Sequence, residues 1–325
     1  MNWPKVSFIV CTYNCRDNAE RCFSSIKKQI YPGEIELIAS DGGSTDGTLE
    51  LLENMGVRVL FNKEKYPEGK GRGKWLGYMN SSGEILVFID SDNALVEDTW
   101  LMEMVKPLLN DPSVNFCICR MAIVKTDRAI NRYLSLIGTD PFVAYKSIDS
   151  LLALRKLKLT EKGDYWVYKI TRENFIITGG YYFTIWKKTL DLIGGYTHDT
   201  DVVYALARND MATLAIPKNA HLHHLISNSI IQFTKKKFWW AKVYFSVQRE
   251  GRDFNWMPAN KKEKIYLGAR VIKNLLIFPD LFTGIKMCIT DREIAWLLHP
   301  LMVFLTTAAY LLAYIKTTLT TFFKK

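Results

Sequence analysis

Short apolar runs bounded by turn residues recur through the first part of the chain, at 6–11, 35–40, 57–61 and 85–90. Each is too short for a helix and predicts a buried β-strand. Between them the apolar positions take helical spacing over 18–29, 48–55 and 74–80, and Ser44, Thr45 and Asp46 stand where the second helix needs a cap. Strands alternating with helices imply an α/β fold, a mainly parallel sheet flanked by helices on both faces. A helix over 98–109 and a strand near 115–119 continue the pattern.

From 127 to 173 the periodicity fades and Tyr, Lys and Asp become frequent, which predicts an inserted lid or acceptor region. Order returns with Thr178-Gly179-Gly180, a helix around 187–193, Gly194-Gly195-Tyr196, a helix over Asp199–Arg208 and a strand over 212–216. Past His224 the character changes. Lys235-Lys236-Lys237-Phe238-Trp239-Trp240 and the stretch 264–289 mix basic and large apolar residues, as interfacial helices do. Residues 294–315 carry no charge over 22 positions. That is enough to span a bilayer, which needs about 20 apolar residues, although Pro300 and His299 near its start also suit a buried core helix or a half-inserted hairpin. The predicted division is an α/β domain over 1–234, followed over 235–325 by basic amphipathic helices and a membrane-inserted helix.

Composition narrows this picture. With 48% hydrophobic and 13% aromatic residues the chain is not a disordered polymer. Its net charge of +10 is localised: residues 235–325 hold 16 Lys and Arg against 6 Asp and Glu, and the remaining 27 of each sign cancel. A basic excess confined to the most aromatic and apolar segment points to an anionic membrane surface, and no nucleic-acid-binding motif accompanies it. The six cysteines lack zinc spacing and read as reduced packing residues, which favours the cytoplasmic side of a cell membrane. The run 6–11 is too short for a secretory signal and is followed at once by Thr12-Tyr13-Asn14.

Ligands of such sheets bind beyond the carboxyl ends of the strands, which brings 12–14, 41–44 and 90–93 to one edge. Asp90-Ser91-Asp92 follows its strand directly and offers the hard oxygens that Mg²⁺ or Mn²⁺ takes when bridging to a diphosphate. In isolation the same three residues suit a turn that caps the next segment. Around Asp41-Gly42-Gly43 the glycines permit tight turns and close approach of backbone to ligand. Asp41 can accept hydrogen bonds from a pyrimidine base. Ser44, Thr45 and Asp46 are assigned structural roles.

The runs Val6-Ser7-Phe8-Ile9-Val10-Cys11-Thr12-Tyr13-Asn14, Asp41 to Thr48 and Phe88-Ile89-Asp90-Ser91-Asp92-Asn93 together resemble the nucleotide-binding half of family 2 glycosyltransferases. The family usually has Pro where Cys11 stands and a second Asp where Gly42 stands, which leaves the base contact on Asp41 alone. Gly194-Gly195-Tyr196-Thr197-His198-Asp199-Thr200-Asp201 resembles the family's Gly-Gly-Phe followed by Glu-Asp at a helix start. The resemblance implies a Rossmann-like nucleotide-diphospho-sugar transferase domain and inverting transfer from a UDP- or GDP-sugar. It implies Asp199 as general base, with Asp201 as the alternative because His198 replaces the Glu; a helix N-cap is the structural option for Asp199. Lys74 stands where the family has Arg and would meet the diphosphate, or lie in a solvated basic loop. The implied nucleotide site is Thr12, Tyr13, Asn14, Asp41, Lys74, Asp90 and Ser91. Asp90, Asp92 and one of three histidines, His223 first, would hold Mn²⁺ or Mg²⁺. Thr178, Gly179 and Gly180 resemble an acceptor-side loop, and the membrane segment suggests a lipid-linked acceptor. The Gln-x-x-Arg-Trp signature of processive synthases is missing. The competing classes are a catalytically silent nucleotide-sugar-binding membrane scaffold and a sugar-phosphate nucleotidyltransferase.

Overall fold

The computed structural model of the chain describes residues 2–178, 182–248, 252–257 and 260–322. Strand β1 (Val6–Thr12) is apolar almost throughout because both of its faces are covered, and Val6, Phe8, Ile9 and Val10 are fully buried. Helix α1 (Arg16–Lys27) turns Ala19, Cys22, Phe23 and Ile26 inward, one stripe at helical spacing. The alternation continues through β2 (Ile35–Asp41), α2 (Thr48–Asn54), β3 (Arg58–Phe61), α3 (Gly73–Asn80) and β4 (Ile85–Asp90). These four strands pair in parallel.

Next come β5 (Asn93–Leu95), α4 (Trp100–Asn110), β6 (Phe116–Cys117) and β7 (Arg120–Met121). After α5 (Ala129–Ile137) and α6 (Leu151–Leu154) the chain supplies β8 (Thr160–Lys162), β9 (Tyr165–Lys169), β10 (Tyr182–Trp186), α7 (Lys187–Leu192), α8 (Asp199–Arg208), β11 (Thr213–Pro217) and β12 (His221–His224). Among the described residues the main sheet has nine strands in the order β3-β2-β1-β4-β10-β6-β11-β9-β8, and a small sheet has the order β5-β12-β7. β10 runs antiparallel to both of its neighbours, β4 and β6, and β9 to both of its own, β11 and β8, so among the described residues the sheet is mixed, four of its eight pairings parallel and four antiparallel.

Contacts divide the chain into two units, Met1–Ala122 with Lys156–His224, and Ile123–Arg155 with Leu225–Lys325. The boundary expected at 234 therefore falls at 224, and the region 127–173 is not one insertion. Its first half joins the second unit because α5 is amphipathic: Ile130, Tyr133, Leu134 and Ile137 are buried in a cluster with Trp296 and Met302. Its second half is a hairpin, β8 with β9, paired onto β11 at the edge of the main sheet.

The second unit is otherwise helical: α9 (Ile230–Val243), α10 (Lys261–Leu275), α11 (Phe278–Asp291) and α12 (His299–Phe322). Residues Ile294–Leu319 have a mean hydropathy of 1.6, and half of the apolar window is buried within the protein. His299 is fully enclosed, its Nδ1 2.9 Å from the Tyr133 hydroxyl. The contact gives Nδ1 of His299, a polar atom within the uncharged run, a partner inside the protein.

Helix α3 approaches β1 unusually closely. A Cβ built on Gly77 would lie 2.2 Å from Cγ2 of the buried Ile9. Replacing Gly77 with alanine should therefore destabilise the protein by about 1–3 kcal/mol through overpacking, although alanine alone favours a helix interior by about 1 kcal/mol. Urea unfolding checks this, and an unchanged midpoint would contradict it.

Candidate active site

Strand register gathers the polar strand ends. Thr12 stands opposite Asp41, and Cys11 opposite Asp90. Asp41 is buried, and donors from its own chain surround both carboxylate oxygens. Oδ1 accepts from the Gly43 and Ser44 backbone N–H groups at 2.8 and 2.7 Å. Oδ2 accepts from the Thr12 and Ser44 hydroxyls, both at 2.7 Å. Through these bonds Asp41, the residue expected to meet the base, folds the Gly42–Gly43 turn. Asn14, at φ 45°, ties the same edge together, its side-chain oxygen accepting from Thr45 N–H at 2.8 Å. Asp46 receives the backbone N–H groups of Thr48 and Arg16, each at 3.1 Å, and so serves the starts of both α2 and α1. That is the structural role expected of it. Tyr13 is exposed on this edge, with the Lys65 ammonium 5.1 Å from its ring centre.

The cluster of charges beside the strand ends centres on Lys74, 1% exposed on the first turn of α3. Its Nζ lies 3.1 Å from Oδ1 of Asp90 and 3.0 Å from Oδ1 of Asp199. One cation thus joins the carboxylate at the end of β4 to the carboxylate at the start of α8. Burial works against the ammonium, but Asp199 and Asp90 outweigh it and hold Lys74 well above its usual range. Burial pushes Asp90 up; Lys74 pulls against it, while the charges of Asp199 and Asp92 add to the push. For Asp199 burial also acts upward, yet Lys74 and the Tyr196 hydroxyl more than offset it and hold the carboxyl below the usual carboxylate range.

Tyr196 is positioned by stacking on Phe88, with ring centres 4.0 Å apart, and its hydroxyl donates to Asp199. Phe88 and Asp90 share one face of β4, so the ring that stacks on the first brings Asp199 to the second. Gly194 and Gly195 both have positive φ, 89° and 94°, which lets the chain turn sharply into this segment. Changing Tyr196 to phenylalanine keeps the stack and removes a donor to the ionised carboxylate. Asp199 should then titrate at higher pH, and the acidic limb of kcat/KM should move upward, so activity is lost sooner on acidification. A limb that stays in place or moves down would contradict this.

Asp201 is turned elsewhere. It is buried on the first turn of α8, with Oδ2 3.3 Å from Nδ1 of His198. The structure therefore brings Asp199, and not Asp201, to Lys74 and Asp90. Thr178 is buried; Gly179 and Gly180 lie outside the described residues.

At the other end of the turn, Asp92 faces His224, with Oδ1 3.2 Å from Nε2. His224 pairs with Asn93 in the small sheet, whereas His223 pairs with Ala94 and so presents its side chain to the opposite face. Of the three histidines expected, the structure brings His224 to Asp92. His221 is taken by Glu97, Nδ1 to Oε1 2.7 Å. The Arg21 guanidinium donates to the backbone carbonyls of both Asp92 and His223, and so braces the turn against β12. Among the described residues no three His, Cys, Asp or Glu side chains form a metal cage. The oxygen of Asp92 and the nitrogen of His224 nevertheless suit Mn²⁺. They fit a cation whose remaining ligands come from phosphate oxygens and water.

The sequence profile of Glycosyl transferase family 2 matches residues 7–173, just over half of the chain. The chain belongs to glycosyltransferase family 2. This glycosyltransferase is 26% identical over 235 residues to GalNAc(5)-diNAcBac-PP-undecaprenol beta-1,3-glucosyltransferase of Campylobacter jejuni, covering 68% of this chain and 71% of that one. It is 30% identical over 115 residues to the uncharacterized glycosyltransferase YfnE of Bacillus subtilis, spanning 35% of this chain but only 29% of that protein's length. Its fold resembles the mannosyltransferase PcManGT from Pyrobaculum calidifontis, solved with GDP-Man and Mn²⁺, at a TM-score of 0.56 over 96% of this chain and 88% of that one. At 18% identity that likeness is one of fold.

Three residues of this site escaped sequence reasoning: Tyr196, Arg21 and Glu68, whose side chain hydrogen-bonds Asp199. Tyr196 had a signal, a hydroxyl-bearing ring where the family carries Phe. His224 was one of the three histidines expected, and three within four positions leave the register open.

Proposed function

We propose that this glycosyltransferase moves a sugar from a UDP- or GDP-sugar to a hydroxyl or phosphate of a lipid-linked acceptor, with inversion and divalent-metal assistance, on the cytoplasmic side of a membrane. The observation that carries the reading is the salt-bridged group Asp90, Lys74 and Asp199, a strand-end carboxylate and a helix-start carboxylate joined by one ammonium. The nucleotide is assigned to the strand-end edge, along Thr12, Tyr13, Asn14 and Ser91. Asp92 and His224 would hold Mn²⁺ or Mg²⁺, which when bound supplies positive charge to the departing diphosphate.

Asp199 is ionised at neutral pH, held so by Lys74 and oriented by Tyr196. From a hydroxyl acceptor it takes the proton as that oxygen attacks the anomeric carbon from the face opposite the diphosphate, whereas an ionised phosphate oxygen attacks without it. The new carbon–oxygen bond forms as the bond to the diphosphate breaks, the pair of electrons leaving with the phosphate oxygen, and the configuration inverts. The leaving group needs no protonation, so a second carboxylic acid of the glycoside hydrolase kind has no task here. A lipid-linked acceptor is supported by the name of the Campylobacter relative, which contains a diphosphoundecaprenol, and by the apolar surface of the second unit.

The test is a panel of UDP-, GDP- and dTDP-sugars given to the protein in membrane extract, with and without chelator. Turnover of a UDP- or GDP-sugar that chelator stops and added Mn²⁺ restores is expected. Chelator-insensitive turnover would remove the metal role, and donor binding without any turnover would favour the silent scaffold.

A further inference from the structure

Helix α11 is amphipathic in the reverse sense. Phe278, Phe282, Ile285 and Ile289 are 72%, 72%, 43% and 74% exposed. At about 100° per residue they fall within about 60° of arc. Asp280, Gly284 and Met287, the buried residues of the same helix, lie on the opposite side. α10 repeats the arrangement: Ile265, Ile272 and Leu276 are exposed on the side opposite its buried Asn274. Two helices of one unit thus turn apolar stripes away from the core.

Charge selects the occupant. Over residues 260–293 the exposed charged side chains are Lys261, Lys262, Lys264, Lys273, Lys286 and Arg292 against the single acid Glu263. The other acids are engaged inside the unit: Asp280 with Lys273, Asp291 with Arg155 and Glu293 with Arg132. A second copy of the same face would bring like charges together. An anionic bilayer answers both features, since large apolar side chains enter the acyl boundary while lysines remain among the headgroups. The helix does not cross. Its 14 residues span about 21 Å at about 1.5 Å each, short of a hydrocarbon core of about 30 Å, and it carries Lys286 midway.

We infer that α11 and α10 form an in-plane docking surface for anionic lipid, with the stripe Phe278, Phe282, Ile285 and Ile289 seated in the bilayer interface. The inference deepens the membrane-surface reading above by naming the element that makes the contact. The test is sedimentation of the full chain with vesicles of phosphatidylglycerol and phosphatidylcholine, and with phosphatidylcholine alone. Wild type should bind the anionic vesicles at least about tenfold more tightly. Phe282→Gln combined with Ile289→Gln should lose at least about tenfold in binding, and charge reversal at Lys261, Lys262 and Lys264 should abolish the preference for anionic lipid. Both variants should unfold as wild type does, because the altered side chains are exposed. Vesicle binding unchanged in the Phe282→Gln, Ile289→Gln variant, or released only by detergent, would place the anchor in α12 and overturn the inference. So would a dimer in light scattering that this variant dissolves. Turnover on a water-soluble acceptor should be equal in wild type and variants; its failure in wild type bears on the proposed reaction and leaves the vesicle result standing.

Discussion

Replacing Asp199 with asparagine is expected to lower kcat by about 10²- to 10⁴-fold, the contribution of a positioned general base. Asparagine keeps the side-chain shape and an oxygen that can still accept from Lys74 and Tyr196, and Lys74 keeps Asp90 as a charged partner, so the variant should fold with reduced stability while the KM for donor changes little. The matching change at Asp201 should cost far less, because that carboxylate pairs with His198 at 3.3 Å. Steady-state kinetics of the two variants side by side make the check. Equal losses, or transfer surviving Asp199→Asn, would remove the base assignment.

The second large effect is on stability. Lys74→Met leaves Asp90 and Asp199, each now within 3.1 Å of the same ammonium, without their shared partner. Removing one side of a buried ion pair costs about 3–5 kcal/mol. The lower end applies, because Asp90 keeps 39% of its side chain exposed while Asp199 keeps 16%. The sign of the pH dependence follows. Without Lys74 both folded carboxyls sit above their unfolded values, so the variant gains relative stability when they are protonated and loses it as pH rises through the raised values. The deficit should therefore shrink toward about pH 4, near the ordinary carboxylate range. Urea unfolding of wild type and variant across pH measures this, and equal midpoints at neutral pH would contradict it.

The central strands were legible because β1 and β4 are buried on both faces, which requires the near-continuous apolar runs that sequence displays. Their polar ends were legible for the same reason: once the strands are placed, Asp41 and Asp90 can only lie at one edge. Helix α5 was hidden, because its stripe of Ile130, Tyr133, Leu134 and Ile137 is short and set in a polar stretch. The hairpin β8–β9 was hidden because an edge hairpin is half solvated and buries little. In the cleft, residue types were readable and pairings were not. Nothing in the sequence says that Asp41 will spend its oxygens on Thr12, Gly43 and Ser44, or that Lys74 will join Asp90 to a helix 125 residues away. In the uncharged run 294–315, His299 and Pro300 left a buried core helix open beside a membrane span, and hydropathy does not register that Trp296, His299 and Met302 are enclosed by protein.

Donor diphosphate, divalent cation and general base are proposed to meet around Lys74. Crystals grown with UDP or GDP and Mn²⁺, measured for anomalous scattering at the manganese edge, address this most directly. The account predicts a manganese peak beside Asp92 and His224, with the diphosphate between it and the Asp90–Lys74–Asp199 group. A nucleotide bound away from these residues, or a peak on another surface of the unit, would contradict it.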